Sequence, residues 1–155
     1  MRTGDDRTML TESTENYLTE LLRLEEREVP ATTSELATRL DVARPSVTGM
    51  VKRLAAAGLV VHERYRGVGL TTSGRREARR VLRRHRLIET FLATVLGVPA
   101  NRVHAEAHRL EHAMSEDVVD RLDRWLGRPS HDPHGTPIPG RCTSGANVPE
   151  SHRKT

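Results

Sequence analysis

Residues 32–71, TTSELATRLDVARPSVTGMVKRLAAAGLVVHERYRGVGLT, carry the patterns that decide the fold. Thr32 stands three residues before Glu35, which is a capping-box pattern and predicts the start of a short helix. Pro45 suits the first turn of a second helix, because its missing N–H would be unpaired there anyway, and Gly58 favours a stop. Two short helices joined by about four residues predict a helix-turn-helix, in which the first helix braces and the second reads DNA.

A β-hairpin is predicted directly after the second helix. Residues 59–63 indicate a strand, residues 64–67 a turn and residues 68–71 a returning strand. A hairpin in this place is a wing. Arg64 and Arg66 at its tip are therefore placed to meet phosphate or the minor groove of DNA.

The charges of the chain are unevenly distributed. The formal net charge is +4, but residues 32–86 alone carry 13 basic and 4 acidic side chains. Residues 1–31 and 87–126 are both net acidic. A basic block that coincides with a helix-turn-helix and a wing indicates double-stranded DNA as the partner.

Outside residues 32–71 the sequence predicts only helices. An amphipathic helix is expected over residues 12–28, and a long helix capped by Thr72 or Ser73 is expected to run to about residue 96. Two more helices follow, over residues 100–113 and after Ser115. Aromatic residues make up only 3% of the chain, so aliphatic side chains must fill the core. The predicted fold class is therefore mainly α with a small β-hairpin.

These elements predict an N-terminal winged helix-turn-helix domain over residues 12–73 and a C-terminal helical domain over residues 74–127. The second domain is expected to contain the linking helix and to bind metal and dimerise. Residues 1–11 are predicted to be disordered and residues 128–155 to form a flexible tail. The two short helices after residue 100 are too small to cover their own apolar faces, which predicts that two copies of the chain form a homodimer. Such a dimer would pair two DNA-reading helices on a palindromic operator.

Residues 103–112, VHAEAHRLEH, place three histidines and a glutamate on one face of a predicted helix. His104, His108, Glu111 and His112 stand at offsets of four, seven and eight, which a helix with 3.6 residues per turn stacks together. Imidazole and carboxylate groups bind divalent transition metals. The pattern therefore favours a metal site over a solvated polar face.

The long helix carries two further features. His85 and Glu89 stand four residues apart and are either a ligand pair or an ion pair. Six arginines line two adjacent strips and are expected to form mostly a solvated face, namely Arg75, Arg76, Arg79, Arg80, Arg83 and Arg84.

Taken in order, these pieces resemble the diphtheria toxin repressor superfamily of iron- and manganese-dependent transcriptional regulators. The resemblance covers roughly residues 11–140 and rests on STENYL at 13–18, RPSVT at 44–48, YRGVGLTTSG at 65–74, RHRLIE at 84–89, VHAEAHRLEH at 103–112 followed by Met114-Ser115, and PHGTPIP at 133–139. It implies a metal-activated repressor of metal-uptake genes, of the short, two-domain type.

The resemblance also implies two metal sites. The ligands of the ancillary site are His85, Glu89 and His104. The ligands of the primary site are His108, Glu111 and His112, with a fourth from the first helix, where this chain has Asn16. Asn16 offers only a neutral carbonyl oxygen, and Glu12, Glu15 or Glu20 on the same helix could substitute for it. This set of nitrogen and oxygen ligands favours Mn²⁺, with Fe²⁺ and Zn²⁺ as alternatives.

The recognition helix departs from the family at Gly49, where members have Gln or Lys. Glycine reads no base edge. The remaining candidates for base or phosphate contacts are Ala43, Arg44, Pro45, Ser46 and Thr48. Arg44 is the best candidate for reading guanine.

Two other functions fit parts of the sequence. His108-Arg109-Leu110-Glu111-His112 matches the H-x-x-E-H motif of inverted zinc proteases, in which two histidines bind zinc and the glutamate activates water. That reading leaves the basic winged domain unexplained, so we expect no enzyme activity. A winged-helix regulator that senses zinc or an organic ligand would explain the DNA-binding domain equally well.

The sequence also predicts where the protein acts. Cys142 is the only cysteine, which excludes an internal disulfide and favours a reducing compartment. No apolar run is long enough for a transmembrane helix, and the N-terminus lacks a signal-peptide pattern. We therefore expect a cytoplasmic protein that does not interact with membranes.

Overall fold

The structure is a computed structural model, and it describes residues 10–141. These residues form six helices and one two-stranded sheet. In chain order the elements are α1 (Glu12–Glu26), α2 (Thr33–Leu40), α3 (Arg44–Ala56), β1 (Val60–Glu63), β2 (Gly67–Leu70), α4 (Thr72–Thr94), α5 (Ala100–Glu111) and α6 (Glu116–Trp125). The predicted fold class is confirmed. Most of the N-terminus predicted to be disordered, and the tail from Cys142 onward, lie outside the described residues.

The helix-turn-helix forms as the capping patterns predict. The Thr32 hydroxyl accepts a hydrogen bond from the Glu35 N–H (3.1 Å), which starts α2. The chain turns at Asp41, which has a left-handed conformation (φ 53°), and Pro45 lies in the first turn of α3. Val47 of α3 is fully buried in the core that α1 and α2 share. The helix is thereby anchored on one side, and its N-terminal residues are exposed on the other.

The hairpin contacts the connection between α1 and α2. Its strands pair in antiparallel register, from Val60 opposite Leu70 to Glu63 opposite Gly67. Gly67 also pairs with Ala31 in the α1–α2 connection, and a Cβ at Gly67 would overlap the backbone carbonyl of Ala31. This close approach requires glycine and gives the wing a defined position on the domain.

Helix α4 packs against elements of both halves of the chain. It is capped by Thr71, whose hydroxyl accepts a hydrogen bond from the Gly74 N–H (3.0 Å), so the predicted caps at Thr72 or Ser73 are wrong by one or two residues. Every residue from 81 to 90 is buried. The reason is that α1 packs against α4 on one side, while α5 and α6 pack against it elsewhere.

Two of the six arginines that were predicted to form a solvated face are buried. Arg83 donates to Asp123 of α6 (2.9 Å), and Arg84 donates to Glu116 of α6 (2.7 Å). Their partners lie 40 and 32 residues further along the chain. The sequence of α4 by itself therefore cannot reveal that these arginines are paired.

The C-terminal half has a smaller core. Ile88 and Leu92 of α4 pack there against Val103 and Ala107 of α5. α6 begins after Ser115, whose hydroxyl accepts from the Val118 N–H as predicted. Among residues 10–141, no helix is long and apolar enough to cross a membrane.

The segment after α6, residues 128–141, lies against α4. The Arg86 guanidinium donates to the Pro137 carbonyl and lies 3.9 Å from the Asp132 carboxylate. Asp132 accepts a hydrogen bond from the His134 N–H (2.9 Å), which helps to close a turn. The predicted tail therefore contacts a buried arginine of α4 over its described residues.

Candidate metal centre

Helix α5 brings the predicted histidines to its junction with α4 and α1. His104 and His108 lie one turn apart on α5, and His112 follows as the residue that ends the helix. Their neighbours Val103 and Ala107 are buried between α4 and α5. Burial of these two apolar residues fixes the rotation of α5, and the histidine face therefore lies along the edge of the interface.

The first cluster joins α4 to α5. His85 Nε2 lies 3.0 Å from Glu89 Oε1, His104 Nδ1 lies 2.9 Å from the same oxygen, and the two ring nitrogens are 3.1 Å apart. The ligand atoms of His85, Glu89 and His104 therefore lie close enough together to bind one ion.

The second cluster joins α5 to α1. Glu111 Oε1 lies 2.8 Å from His108 Nδ1 and 3.2 Å from His112 Nε2. The other ring nitrogen of His112, Nδ1, lies 2.7 Å from Glu15 Oε2 on α1. Glu12, also on α1, has its Oε1 atom 4.0 Å from His112 Nε2. Imidazoles of α5 and carboxylates of α1 therefore meet at one place.

Glu111 connects the two clusters, because its Oε2 atom lies 2.5 Å from His85 Nδ1. Burial opposes the charge of His85, but hydrogen bonds to Glu111 and Glu89 raise the pKa of this imidazole to about 9. Burial would raise the pKa of Glu89, but hydrogen bonds from His85 and His104 lower it to about 2. Burial acts likewise on Glu111, and hydrogen bonds from His85 and His108 lower the pKa of its carboxyl. Through Glu111 the two clusters form one network of hydrogen-bonded side chains.

Arg84 supports the second cluster from α4. Its Nη1 atom donates to the backbone carbonyl of Glu111 (2.8 Å) and lies 3.7 Å from Glu15 Oε2. Its Nη2 atom donates to Glu116 of α6. One buried cation therefore connects α1, α5 and α6. The sequence does not indicate this role, because a helix with seven arginines has the pattern of a solvated surface.

The second cluster contains a ligand atom with no hydrogen-bond partner. His112 Nε2 is buried and makes no hydrogen bond within the described part of the chain. The ligand atoms of Glu12, His108 and His112 all lie within 4.8 Å of one another. Imidazole and carboxylate groups are a suitable donor set for Mn²⁺, Fe²⁺ or Zn²⁺. These residues therefore fit a divalent transition-metal ion.

The segment after α6 adds two ligand groups beside the first cluster. His134 Nδ1 lies 4.0 Å from Glu89 Oε2, and the ligand atoms of Glu89, Asp132 and His134 lie within 4.8 Å of one another. Asp132 is buried, whereas His134 is exposed. The first cluster can thus draw ligands from α4, from α5 and from this segment.

Six of the seven predicted ligands lie in the two clusters, namely His85, Glu89, His104, His108, Glu111 and His112. Asn16 is the seventh. It is half-buried on α1, and its side chain makes no hydrogen bond among residues 10–141. The carboxylates that α1 directs to the second cluster are Glu12 and Glu15.

A second candidate surface lies on α3 and the wing. The five predicted contact residues at the start of α3 are all exposed, namely Ala43, Arg44, Pro45, Ser46 and Thr48. Arg64 and Arg66 are exposed in the hairpin turn, where the Arg64 guanidinium lies 5.0 Å from the centre of the Tyr65 ring. The predicted DNA-contacting side chains are therefore accessible.

Two family models match successive parts of the chain. Residues 9–68 match the N-terminal DNA-binding domain of the iron-dependent repressors, and residues 71–140 match their metal-binding and dimerisation domain. The chain belongs to the iron-dependent repressor family. The first match covers α1 to β2 and the second covers α4 to the segment after α6, so the family resemblance seen in the sequence is confirmed.

Curated members of the family are similar over most of this chain. The iron-dependent repressor IdeR of Mycobacterium leprae is 44% identical over 137 residues, which are 88% of this chain and 60% of that protein. The diphtheria toxin repressor of Corynebacterium diphtheriae is 41% identical over 131 residues, which are 84% of this chain and 58% of that protein. The chain spans about three fifths of the length of these relatives.

Solved structures of manganese regulators share the fold. A manganese-dependent transcriptional repressor in complex with manganese has a TM-score of 0.78 and 41% identity, over 88% of this chain and 63% of that chain. The manganese regulator SloR has a TM-score of 0.76 and 38% identity, over 84% of this chain and 61% of that chain. The family therefore depends on divalent metal, and its relatives named here are transcriptional repressors or regulators.

Proposed function

We propose that this protein is a transcriptional repressor that binds DNA as a homodimer when Mn²⁺ or Fe²⁺ is bound. The observation that carries the proposal is the position of the second cluster, where α1 of the DNA-binding half meets α5 of the dimerisation half through Glu15 and His112. A metal site at this junction couples ion binding to the position of the DNA-binding half. The proposed targets are metal-uptake genes, in keeping with the family.

Two groups of residues would hold the ions. The primary site would use His108, Glu111 and His112, with a fourth ligand from α1, where the family position is Asn16 and Glu12, Glu15 and Glu20 are the alternatives. The ancillary site would use His85, Glu89 and His104. A bound divalent ion supplies positive charge that joins carboxylates and imidazoles from separate helices.

Glu15 and Arg84 orient the ligands of the primary site. A carboxylate only accepts hydrogen bonds, so the Nδ1 atom of His112 must be protonated and must donate to Glu15. The Nε2 atom of the same ring is therefore available to bind the ion. Arg84 holds the carbonyl of Glu111 and lies beside the Glu15 carboxylate. These two residues thus orient ligands from both sides of the junction.

The position of α1 is transmitted to the reading helix by packing. α1, α2 and α3 share one core, and Gly67 of the wing is bridged to Ala31 in the connection between α1 and α2. The state in which α1 is held against α5 is favoured by ligation, and in a dimer it would set the spacing of the two reading helices. The DNA-binding state gains population by the difference in metal affinity between the two states.

The DNA contacts are assigned to two elements. Residues at the start of α3 would enter the major groove, with Arg44 as the candidate for a bidentate contact with guanine. Ala43, Pro45, Ser46 and Thr48 would line the same contact. Arg64 and Arg66 of the wing would meet phosphate or the minor groove.

A second copy of the chain would cover apolar residues of the C-terminal half. The large apolar side chains exposed there are Val95, Leu96, Leu110, Val118 and Trp125. Trp125 is 66% exposed and packs edge-to-face against Phe91 on its inner side. Burial of such residues between two copies would supply hydrophobic stabilisation and a two-fold axis for a palindromic operator.

Mn²⁺ is the proposed activating ion, with Fe²⁺ and Zn²⁺ as alternatives. The ligand atoms of both clusters are nitrogen and oxygen, a donor set that accommodates Mn²⁺. The similarity to structures of manganese regulators supports the same choice. The similarity to IdeR keeps Fe²⁺ as the first alternative.

The test is a DNA-binding titration by fluorescence anisotropy, with the promoter of a metal-transporter gene as the probe. Mn²⁺, Fe²⁺ and Zn²⁺ are added in turn, followed by a chelator. We expect tight binding only with metal and its loss on chelation. Binding of equal strength with and without metal would contradict the proposal.

A pair of histidine variants tests the ligand assignment. His108→Ala should abolish the metal-stimulated binding while weak nonspecific binding persists, because the latter depends on the basic residues of the DNA-binding half. His131→Ala is the matched control, since His131 is exposed and lies outside both clusters. Equal metal stimulation in the two variants would rule out His108 as a ligand.

A further inference from the structure

α1 carries four side chains that could offer an oxygen ligand to the second cluster, namely Glu12, Glu15, Asn16 and Glu20. Glu20 accepts hydrogen bonds from Arg39 (3.1 Å) and Arg23 (3.5 Å), so its carboxylate is used within the DNA-binding half. Glu15 is used by the Nδ1 atom of His112 and by Arg84. The remaining choice is between Glu12 and Asn16.

Glu12 has the geometry of a ligand that is ready to bind. Its side chain is 65% exposed, and the one ion-pair contact it makes within the described residues is with His112, at 4.0 Å. The contact is to Nε2, which is the buried atom that has no hydrogen-bond partner. The Glu12 oxygen also lies within 4.8 Å of a ring nitrogen of His108. A small rotation of an exposed side chain would complete a site around these atoms.

We propose that Glu12, and not Asn16, is the residue by which α1 completes the primary metal site. This inference rests on the proposed function and names the ligand that joins the two halves of the protein. The resulting site would hold one divalent ion between His108, His112, Glu111 and Glu12.

The charge of Glu12 favours it over Asn16. The carboxylates of Glu12 and Glu111 together balance the two positive charges of the ion, whereas the amide of Asn16 would leave one charge uncompensated in a partly buried site. Hard cations also prefer anionic oxygen ligands. Glu12 is the first residue of α1, directly after the capping residue Thr11, so its ligation would hold the first turn of the helix against α5.

The test measures Mn²⁺ binding without DNA, by the electron paramagnetic resonance signal of free Mn²⁺. All variants are made in a His104→Ala background, which weakens the ancillary site so that the titration reports on the primary site. The variants are Glu12→Gln, which keeps the size of the side chain, and Asn16→Ala. Glu28→Gln is the matched control, because Glu28 is also exposed and carries the same charge.

We expect Glu12→Gln to raise the Kd for Mn²⁺ by at least about tenfold, while Asn16→Ala and Glu28→Gln leave it unchanged. Hydrogen exchange should also show that Mn²⁺ protects the amides of the first turns of α1 in the parent protein and not in Glu12→Gln. A rise in Kd for Asn16→Ala equal to or larger than that for Glu12→Gln would overturn the inference while leaving the proposed function intact. A wild-type protein that binds neither Mn²⁺ nor Fe²⁺ would overturn the proposed function, and this inference with it.

Discussion

The substitution Glu15→Gln removes the charge from the contact that joins α1 to α5, with little change in shape. The Glu15 carboxylate is buried and accepts a hydrogen bond from His112 Nδ1 (2.7 Å). The same carboxylate lies 3.7 Å from Nη1 of Arg84. A glutamine can still accept one hydrogen bond from His112, but it offers no charge to Arg84. The substitution therefore weakens both interactions without opening a cavity.

The size of the effect follows from these contacts. A hydrogen bond to a charged group contributes about 1.5–3 kcal/mol and a neutral one about 1 kcal/mol, so the free energy of unfolding should fall by about 1–2 kcal/mol. For a chain of this length the melting temperature should fall by about 2–8 °C. Because Glu15 also orients His112 for ligation, affinity for Mn²⁺ should fall by about 10–100-fold.

Urea denaturation in the presence of a chelator measures the first effect, and calorimetric titration with Mn²⁺ measures the second. Glu25→Gln is the control, because Glu25 pairs with Arg75 at an exposed position of the same helix. A surface pair of this kind contributes at most about 1 kcal/mol and does not contact the cluster. If Glu15→Gln matched Glu25→Gln in both measurements, the carboxylate would have no part in the junction or in ligand orientation.

Three further predictions concern other parts of the molecule. Gly49→Ala should stabilise the protein to urea by about 1 kcal/mol, since nothing lies near the new methyl group, whereas Gly74→Ala should destabilise it by about 1–3 kcal/mol, because its methyl would overlap the Leu59 carbonyl. Arg44→Ala should cost about 1–3 kcal/mol in operator binding and relax base preference at one position, as measured by competition with operator variants. Trp125→Glu should shift a dimer toward monomer in size-exclusion chromatography with light scattering, because it places charge on an exposed apolar surface.

Each of these has a result that would contradict it. A destabilised Gly49→Ala protein would mean that α3 needs glycine for a reason other than open space. Unchanged base preference in Arg44→Ala would move this residue to a phosphate contact. An unchanged dimer in Trp125→Glu would place the interface on another face of the C-terminal half.

Local signals in the sequence predicted most of the elements. Thr32 and Ser115 cap their helices as their spacing indicates, and Pro45 lies in the first turn of α3. These features depend on residues within one helical turn, so a linear pattern is enough to show them. The histidine face of α5 is predictable for the same reason, because its period is that of the helix.

The sequence by itself determined that a basic winged helix-turn-helix is joined to a helical half with histidines and glutamates at helical spacing. Only the tertiary structure decided how those histidines and glutamates are distributed between the two clusters. Glu111 connects both clusters, Arg84 is buried beneath one of them, and the segment with Asp132 lies beside the other. The contact of His112 with Glu15 spans 97 residues. Helical periodicity reports which side chains share a face of one helix, but it contains no information on which face of another helix will meet them.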